Sequence, residues 1–299
     1  MRKFAIITDS SSDLAKPFRE KYDIECINTR FFYKDTEYDA DPDWSTLPIK
    51  EFYDYLRAGN RITTSQISVS ACTETFEKNL KEGYDILSIS CTAALSSTVN
   101  VCYHVRDELQ KKYPEQKIIC IDSTISSAGL GILCIKASLL RAEGKTLEET
   151  ADWVEKNKLF INQEGTVEDL NYLKKAGRVS AASAFFGGLF NIKPLIISDI
   201  NGCNVAIEKV KGRKASLIRT VERIVENYTG KEYSDIFIHN TDCEDAALFI
   251  KDETMKRLGL NEENFHIGNI NAAIGASVGP GMIGVYFYGK EVTYDSKAK

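Results

Sequence analysis

The sequence predicts an α/β protein of two domains: a doubly wound parallel sheet over residues 1–160, then an α+β domain over 161–299. Three observations lead there. Apolar runs of four to six residues alternate with segments of helical periodicity through the first half, the pattern of parallel strands joined by crossover helices. The second half breaks that alternation with two adjacent strand-like runs, Lys193–Ser198 and Asn204–Glu208, on either side of Asn201-Gly202, a dipeptide typical of hairpin turns. At 299 residues the chain has the length of about two domains.

Taken in order, Phe4-Ala-Ile-Ile-Thr-Asp9 reads as a buried strand, and Ser10-Ser-Ser-Asp13 supplies helix-capping chemistry for a helix toward Tyr22. Ile24–Tyr33 reads as a second strand and the polar stretch 34–47 as a loop. Pro48 suits the first turn of a helix through Leu56. Thr63-Thr-Ser-Gln-Ile-Ser68 is rich in hydroxyls and leads to a helix near 73–82. Strand Tyr84–Ile89 then enters Ser90-Cys-Thr-Ala-Ala-Leu-Ser-Ser-Thr98, after which Val101, Val105 and Leu109 recur at helical spacing. Lys117–Asp122 is the next strand, a helix follows through Ala142, and Thr146 with Glu149 forms a capping box for another.

In the second half, Val167–Lys175 reads as a short helix closing at Gly177-Arg178, and Ser180–Phe190 is apolar and rich in small residues. Phe185, Phe186, Leu189 and Phe190 read first as core. After the hairpin come helices near 215–228 and 246–258, with strands at 235–239, 264–270 and 283–288.

The hydroxyl cluster Thr92, Ser96, Ser97 and Thr98 sits where a parallel strand ends and a helix begins. In open α/β sheets ligands collect at that end, and free amides at a helix start attract an anion. Four hydroxyls without a charge suit one carboxylate better than a polyphosphate. Two readings stand side by side: Ser96 or Ser97 caps the helix, or they bind a ligand.

Composition narrows the function. A net charge of −5 without basic blocks argues against nucleic acid, and Lys209–Lys214 is a short basic run in a turn. The uncharged stretch 270–289 holds five glycines and Pro280, a poor membrane span. The apolar run before Thr8 is too short for a signal peptide, so a cytosolic protein is expected. The eight cysteines show no zinc spacing, and neither metal nor cofactor is expected.

Catalytic motifs fail on context. Gly275-Ala-Ser277-Val-Gly279 has the spacing of a nucleophile elbow, but Pro280-Gly281 follow and all three histidines precede it. Gly284–Lys290 resembles a phosphate loop with Glu291 where Ser or Thr should stand. Gly129-Leu-Gly131 lacks the third glycine of a dinucleotide fingerprint. Asp9, Asp13 and Asp122 are better turn and cap residues than metal ligands. His239, at a strand end, is the histidine with a possible ligand contact.

The motifs Thr8-Asp-Ser-Ser-Ser-Asp-Leu14, Thr64-Ser-Gln-Ile-Ser68, Leu95-Ser-Ser-Thr98, Asp122-Ser123, Leu173–Ser180, Asn191-Ile-Lys-Pro194 and Gly275–Gly281 follow one another in a characteristic order. In this series the chain resembles the DegV family of bacterial fatty-acid-binding proteins, over nearly its whole length. The resemblance implies a two-domain carrier with a long-chain fatty acid between the domains. It implies a carboxylate on hydroxyls corresponding to Thr64 and Ser96, a tail in the apolar interior, and presentation to a fatty acid kinase subunit that makes the acyl phosphate. The expected site is Thr64, Ser65, Thr92, Ser96, Ser97, Arg178 and Ser277, with no catalytic residue, no nucleic acid and no stable membrane insertion. Arg178 falls on the family's glycine–arginine turn and faces the head group or the kinase. Three positions depart from the pattern. Ile67 replaces a proline, Thr92-Ala93 a pair of serines, and Ser277 the histidine of G-x-H-x-G-P-G. The alternatives are a hydrolase or acyl-transfer enzyme using Ser277 or Ser96, and a binder of another small carboxylate.

Overall fold

A computed structural model describes residues 3–179 and 191–298; the apolar stretch 180–190 lies outside the described residues. Strands β1 (Phe4–Asp9), β2 (Ile24–Ile27), β6 (Asp85–Ser90) and β7 (Ile118–Asp122) form a parallel sheet in the order β2-β1-β6-β7. Alternation along β1 sends Phe4 and Ile6 to one face and Ala5 and Ile7 to the other, each into its own apolar cluster. Helices α3 (Val69–Lys81) and α4 (Thr98–Lys112) cover the second face. Helices α5 (Ala128–Ala142) and α6 (Leu147–Asn157) cover the first. The sheet is doubly wound as the alternation predicts, and α6 has its capping box on Thr146 and Glu149.

A mixed six-stranded sheet follows, in the order β10-β9-β8-β13-β11-β12. Its strands are β8 (Ile161–Thr166), β9 (Ile192–Ser198), β10 (Asn204–Lys211), β11 (Ile236–Asn240), β12 (Phe265–Asn269) and β13 (Ile283–Tyr288). Helices α8 (Arg213–Asn227) and α9 (Glu244–Leu258) pack on one face. The other face meets α5, whose core cluster includes Phe237, Tyr286 and Tyr288. Lying between two sheets, α5 is buried at every position from Ala128 to Ile135 and is apolar all round over that stretch, with Lys136 and Arg141 only partly covered further on. Its glycines allow that approach: a Cβ at Gly131 would sit 2.8 Å from Leu14 Cδ2 and 3.0 Å from the Ser12 carbonyl. The Gly129-Leu-Gly131 pair is therefore explained by packing.

The structure corrects the reading of residues 24–47. The expected single strand breaks into β2 and β3 (Arg30–Tyr33), which lie in different sheets, and the expected loop contains β4 (Thr36–Asp39). With β5 (Thr63–Ser65) these make a small antiparallel sheet, β4-β3-β5, closed by α2 (Ile49–Arg57). The β3–β4 turn has two residues, Lys34 and Asp35, both at positive φ (47° and 62°), the geometry of a tight hairpin without its usual Asn-Gly. Conversely Asn201-Gly202 lies in a wider loop, 199–203, where Asp199 Oδ1 accepts the N–H groups of Asn201 and Cys203 (2.9 Å each). Two further elements complete the site: α7 (Asn171–Ala176), capped by Gly177, and α10 (Ala272–Val278), within a stretch not expected to be helical.

Candidate functional site

The parallel strand order reverses between β1 and β6, and a cavity of about 430 Å³ opens beyond their carboxyl ends. That is the switch point at which open α/β sheets bind ligands, and the volume is that of a small-molecule pocket. Each parallel-strand exit contributes: Ser11 after β1, Thr29 after β2, Cys91 and Leu95–Ser97 after β6, Ser126 after β7. The small sheet adds Thr64 and Ser65 from β5. From the second half come Leu173, Arg178, Asn204 and the face of α10 that carries Ala273, Ile274 and Ser277.

Six of the seven expected site residues meet here: Thr64, Ser65, Ser96, Ser97, Arg178 and Ser277. Thr92 does not line the cavity. It is fully buried; its Oγ1 accepts the Ala94 N–H (3.2 Å) and its carbonyl accepts the amides of Leu95 and Ser96. A Cβ at Gly202 would fall 2.0 Å from that Oγ1. Thr92 thus shapes the turn that carries the serines and packs under the 199–203 loop.

The capping question divides between the two serines. Ser96 Oγ accepts the Thr98 N–H (3.2 Å) and donates to Thr98 Oγ1 (3.0 Å), a local cap. Ser97 is the residue before α4, yet its side chain makes no capping bond. The hydroxyls of Thr64, Ser65, Ser97 and Ser277 have no hydrogen-bond partner among the described residues, and none of the four is buried. Each hydroxyl keeps a donor for a ligand.

Arg178 is the single charged side chain lining the cavity among the described residues. It is exposed, and its guanidinium donates to the carbonyls of Leu95 (Nε, 3.3 Å) and Ala176, reaching across the mouth from α7 to the α4 loop. With one cation, several hydroxyl donors and no carboxylate, the polar side of the cavity favours an anion. The other side is apolar: Leu173 and Val278 belong to a buried cluster against which Ile274 packs. A second cavity of about 620 Å³ shares Thr64, Arg178 and Ser277 with the first and has Arg61 and Lys175 on its wall.

The aspartates serve turns. Asp9 accepts the amides of Ser11 and Cys91 (2.9 Å each), Asp122 those of Ala93 and Thr124. Burial pushes the Asp9 carboxyl up from its ordinary value and the Cys91 thiol well above its own, which leaves that thiol protonated and a poor nucleophile. No histidine lines the cavity among the described residues, so Ser277 has no adjacent imidazole base. His239 is buried in β11 against Phe237 and Tyr286, its Nδ1 3.9 Å from Asp13 Oδ2. Sequence reasoning missed α10 and its cap, Asn271; an Asn before Ala-Ala-Ile-Gly was the available signal.

The same fold recurs in known proteins. Residues 3–290 match the family model described as "Uncharacterised protein, DegV family". A DegV domain-containing protein of Clostridium perfringens is 34% identical over 290 residues, covering 97% of this chain and 98% of its own length. A DegV family protein from Thermus thermophilus, described by its fatty acid binding, superposes with a TM-score of 0.84 at 25% identity over 97% of this chain and 100% of its own. A fatty acid binding DegV family protein from Streptococcus agalactiae gives 0.81 at 26% identity, covering 96% and 98%. Among the described residues no helix is long and apolar enough to cross a membrane.

Proposed function

The chain belongs to the DegV family, and on that premise we propose that it binds a long-chain fatty acid and presents its carboxylate to a fatty acid kinase subunit. The observation that carries this reading is the lining of the cavity: hydroxyls with unused donors and one arginine on one side, Leu173, Ile274 and Val278 on the other. In this reading the carboxylate takes hydrogen bonds from Thr64, Ser65, Ser97 and Ser277, with Ser96 and Arg178 beside it, and Thr92 holds the turn. The tail runs toward the apolar cluster of the second half. Each buried methylene would contribute about 0.8 kcal/mol, so the tail supplies most of the affinity and the head group sets orientation.

Residues 1–160 and 161–299 are read as two domains that close on the ligand from opposite sides. Acyl phosphate formation requires a phosphoryl donor in line with the carboxylate. The second cavity, sharing Thr64, Arg178 and Ser277 and bearing Arg61 and Lys175, supports an approach from that side. The chain itself does no bond-making step.

Native mass spectrometry of the purified protein, followed by denaturation and lipid identification, tests the reading. A stoichiometric, unmodified fatty acid is expected. A protein that is empty and takes up no added palmitate overturns the proposal. Turnover of a nitrophenyl ester that vanishes in Ser277→Ala would replace it with the hydrolase alternative.

A further inference from the structure

One buried contact ties the two sides of the cavity together, and it touches none of the ligand-facing hydroxyls. Asp13 has no exposed side-chain surface and sits at φ 51°. Its Oδ1 accepts both the backbone N–H (2.9 Å) and the side-chain Nδ2–H (2.6 Å) of Asn271, while its Oδ2 accepts the Ser127 hydroxyl (2.5 Å). Asn271 Nδ2 also donates to the Ser10 carbonyl (2.9 Å). The Asn271 Oδ1 meanwhile caps α10, accepting the amides of Ala273 (2.8 Å) and Ile274 (3.3 Å).

Every partner in this set adjoins the cavity by sequence. Ser10 precedes Ser11 and bonds Thr29 through both its hydroxyl (2.8 Å) and the Thr29 amide (3.0 Å); Ser127 follows Ser126; α10 carries Ser277. Helix α10 has seven residues, too few to be a stable helix alone, so its position depends on what holds its start. Packing on β5 and α7 restrains it sideways. The two Asn271 donors fix its rise and rotation against the β1 exit.

We propose that Asp13 and Asn271 are positioning residues of the carboxylate site: they set the distance between the hydroxyls of the first half and Ser277 of the second, and so the preference for a carboxylate head group. The inference rests on the fatty-acid reading above. It predicts a selective defect, because a misplaced α10 spoils the convergence of donors on an oxyanion while leaving the apolar wall in place.

The test compares palmitic acid with hexadecanol, two ligands of equal tail length, by displacement of a fluorescent fatty acid from the full chain. Asn271→Ser keeps an oxygen to cap α10 and removes the Nδ2 donors. It should cut the acid-over-alcohol preference about tenfold, the scale of a lost hydrogen bond to a charged group, with alcohol affinity within about twofold of the parent. Equal losses for both ligands, or no loss for either, overturns the inference. Asp13→Asn, which preserves shape, is the second variant and should move the preference the same way.

A measurement on the unaltered protein stands beside the variants. Palmitic acid, more than hexadecanol, should slow hydrogen exchange at the amides of Asn271, Ala273 and Ile274; equal protection by both overturns the inference. If the unaltered protein binds hexadecanol and palmitic acid equally, the carboxylate-site reading falls, and if it binds neither, the fatty-acid reading falls.

Discussion

Two polar clusters, both containing serines, lie side by side and are built for opposite ends. Around Asp13, Asn271, Ser10 and Ser127 the groups are buried and the carboxylate accepts three hydrogen bonds. Around Thr64, Ser97 and Ser277 the hydroxyls are exposed or half-buried and have no partner among the described residues. A satisfied, dry network is costly to break and has no capacity left for a ligand. An unsatisfied set facing a cavity contributes little to stability and can bind. Serines stand in both, so for them residue identity does not separate the two; hydrogen-bond accounting does.

The largest effect should come from breaking the closed cluster. Asn271→Leu keeps the main-chain N–H on Asp13 Oδ1 but removes the side-chain donor to Asp13 and to the Ser10 carbonyl together with the α10 cap, and should cost about 2–3 kcal/mol in denaturant unfolding, since buried acceptors are left unsatisfied. A loss under about 1 kcal/mol would erase the contrast between the clusters. Next comes the open set. Thr64→Ala combined with Ser97→Ala should change unfolding free energy by no more than about 0.5 kcal/mol, while weakening palmitic acid binding about tenfold in fluorescence titration. Unchanged affinity would remove these hydroxyls from the head-group site.

A smaller effect is expected of the exposed cation at the cavity mouth. Arg178→Gln should weaken palmitic acid binding several-fold at low salt, with the difference shrinking as salt is raised, because a solvent-exposed charge is worth about 1 kcal/mol or less and is screened. A salt-independent loss would mean that the side chain acts through its bonds to the Leu95 and Ala176 carbonyls. The smallest effect belongs to a surface ion cluster that neither binds nor buries anything. Glu77, contacted by Lys112, Lys81 and Tyr113, is held at about 2 against an ordinary 4.5. A depressed carboxyl stabilises above its unfolded value and loses that contribution as pH falls from 4.5 toward 2. Glu77→Gln should therefore lower the melting temperature slightly at pH 7 and flatten the acid limb, the two profiles converging as pH falls toward 2; a shift at pH 3 as large as that at pH 7 would reverse the assignment.

Much of the frame was legible in the linear order. The short apolar run of β1, helical spacing at Val101, Val105 and Leu109, and the Thr146–Glu149 box are local signals, and each led to the element found. Thr64 and Ser65 of β5 entered the expected site only through the family resemblance, whereas the loop after β6 was legible as a candidate ligand loop because a strand-to-helix exit rich in hydroxyls has a local signature. The β3–β4 hairpin was not, since Lys34-Asp35 adopts a left-handed turn that those residues rarely take alone, and pairing with β5 and packing by α2 impose it.

Helix α10 is the clearest loss. Seven small, uncharged residues carry no periodic pattern, and their helix stands because Asn271 is pinned to Asp13, 258 positions earlier in the chain. The same distance in sequence hid the division of labour among the hydroxyls. Strand–helix alternation and ordered motifs pointed to an α/β fold of the DegV family, since those properties are written in neighbours along the chain. Which serines are caps, that Thr92 lies beneath the site rather than in it, and that one asparagine joins the two halves depended on contacts between distant segments. Burial and hydrogen-bond satisfaction belong to those contacts and exist only once the chain has folded.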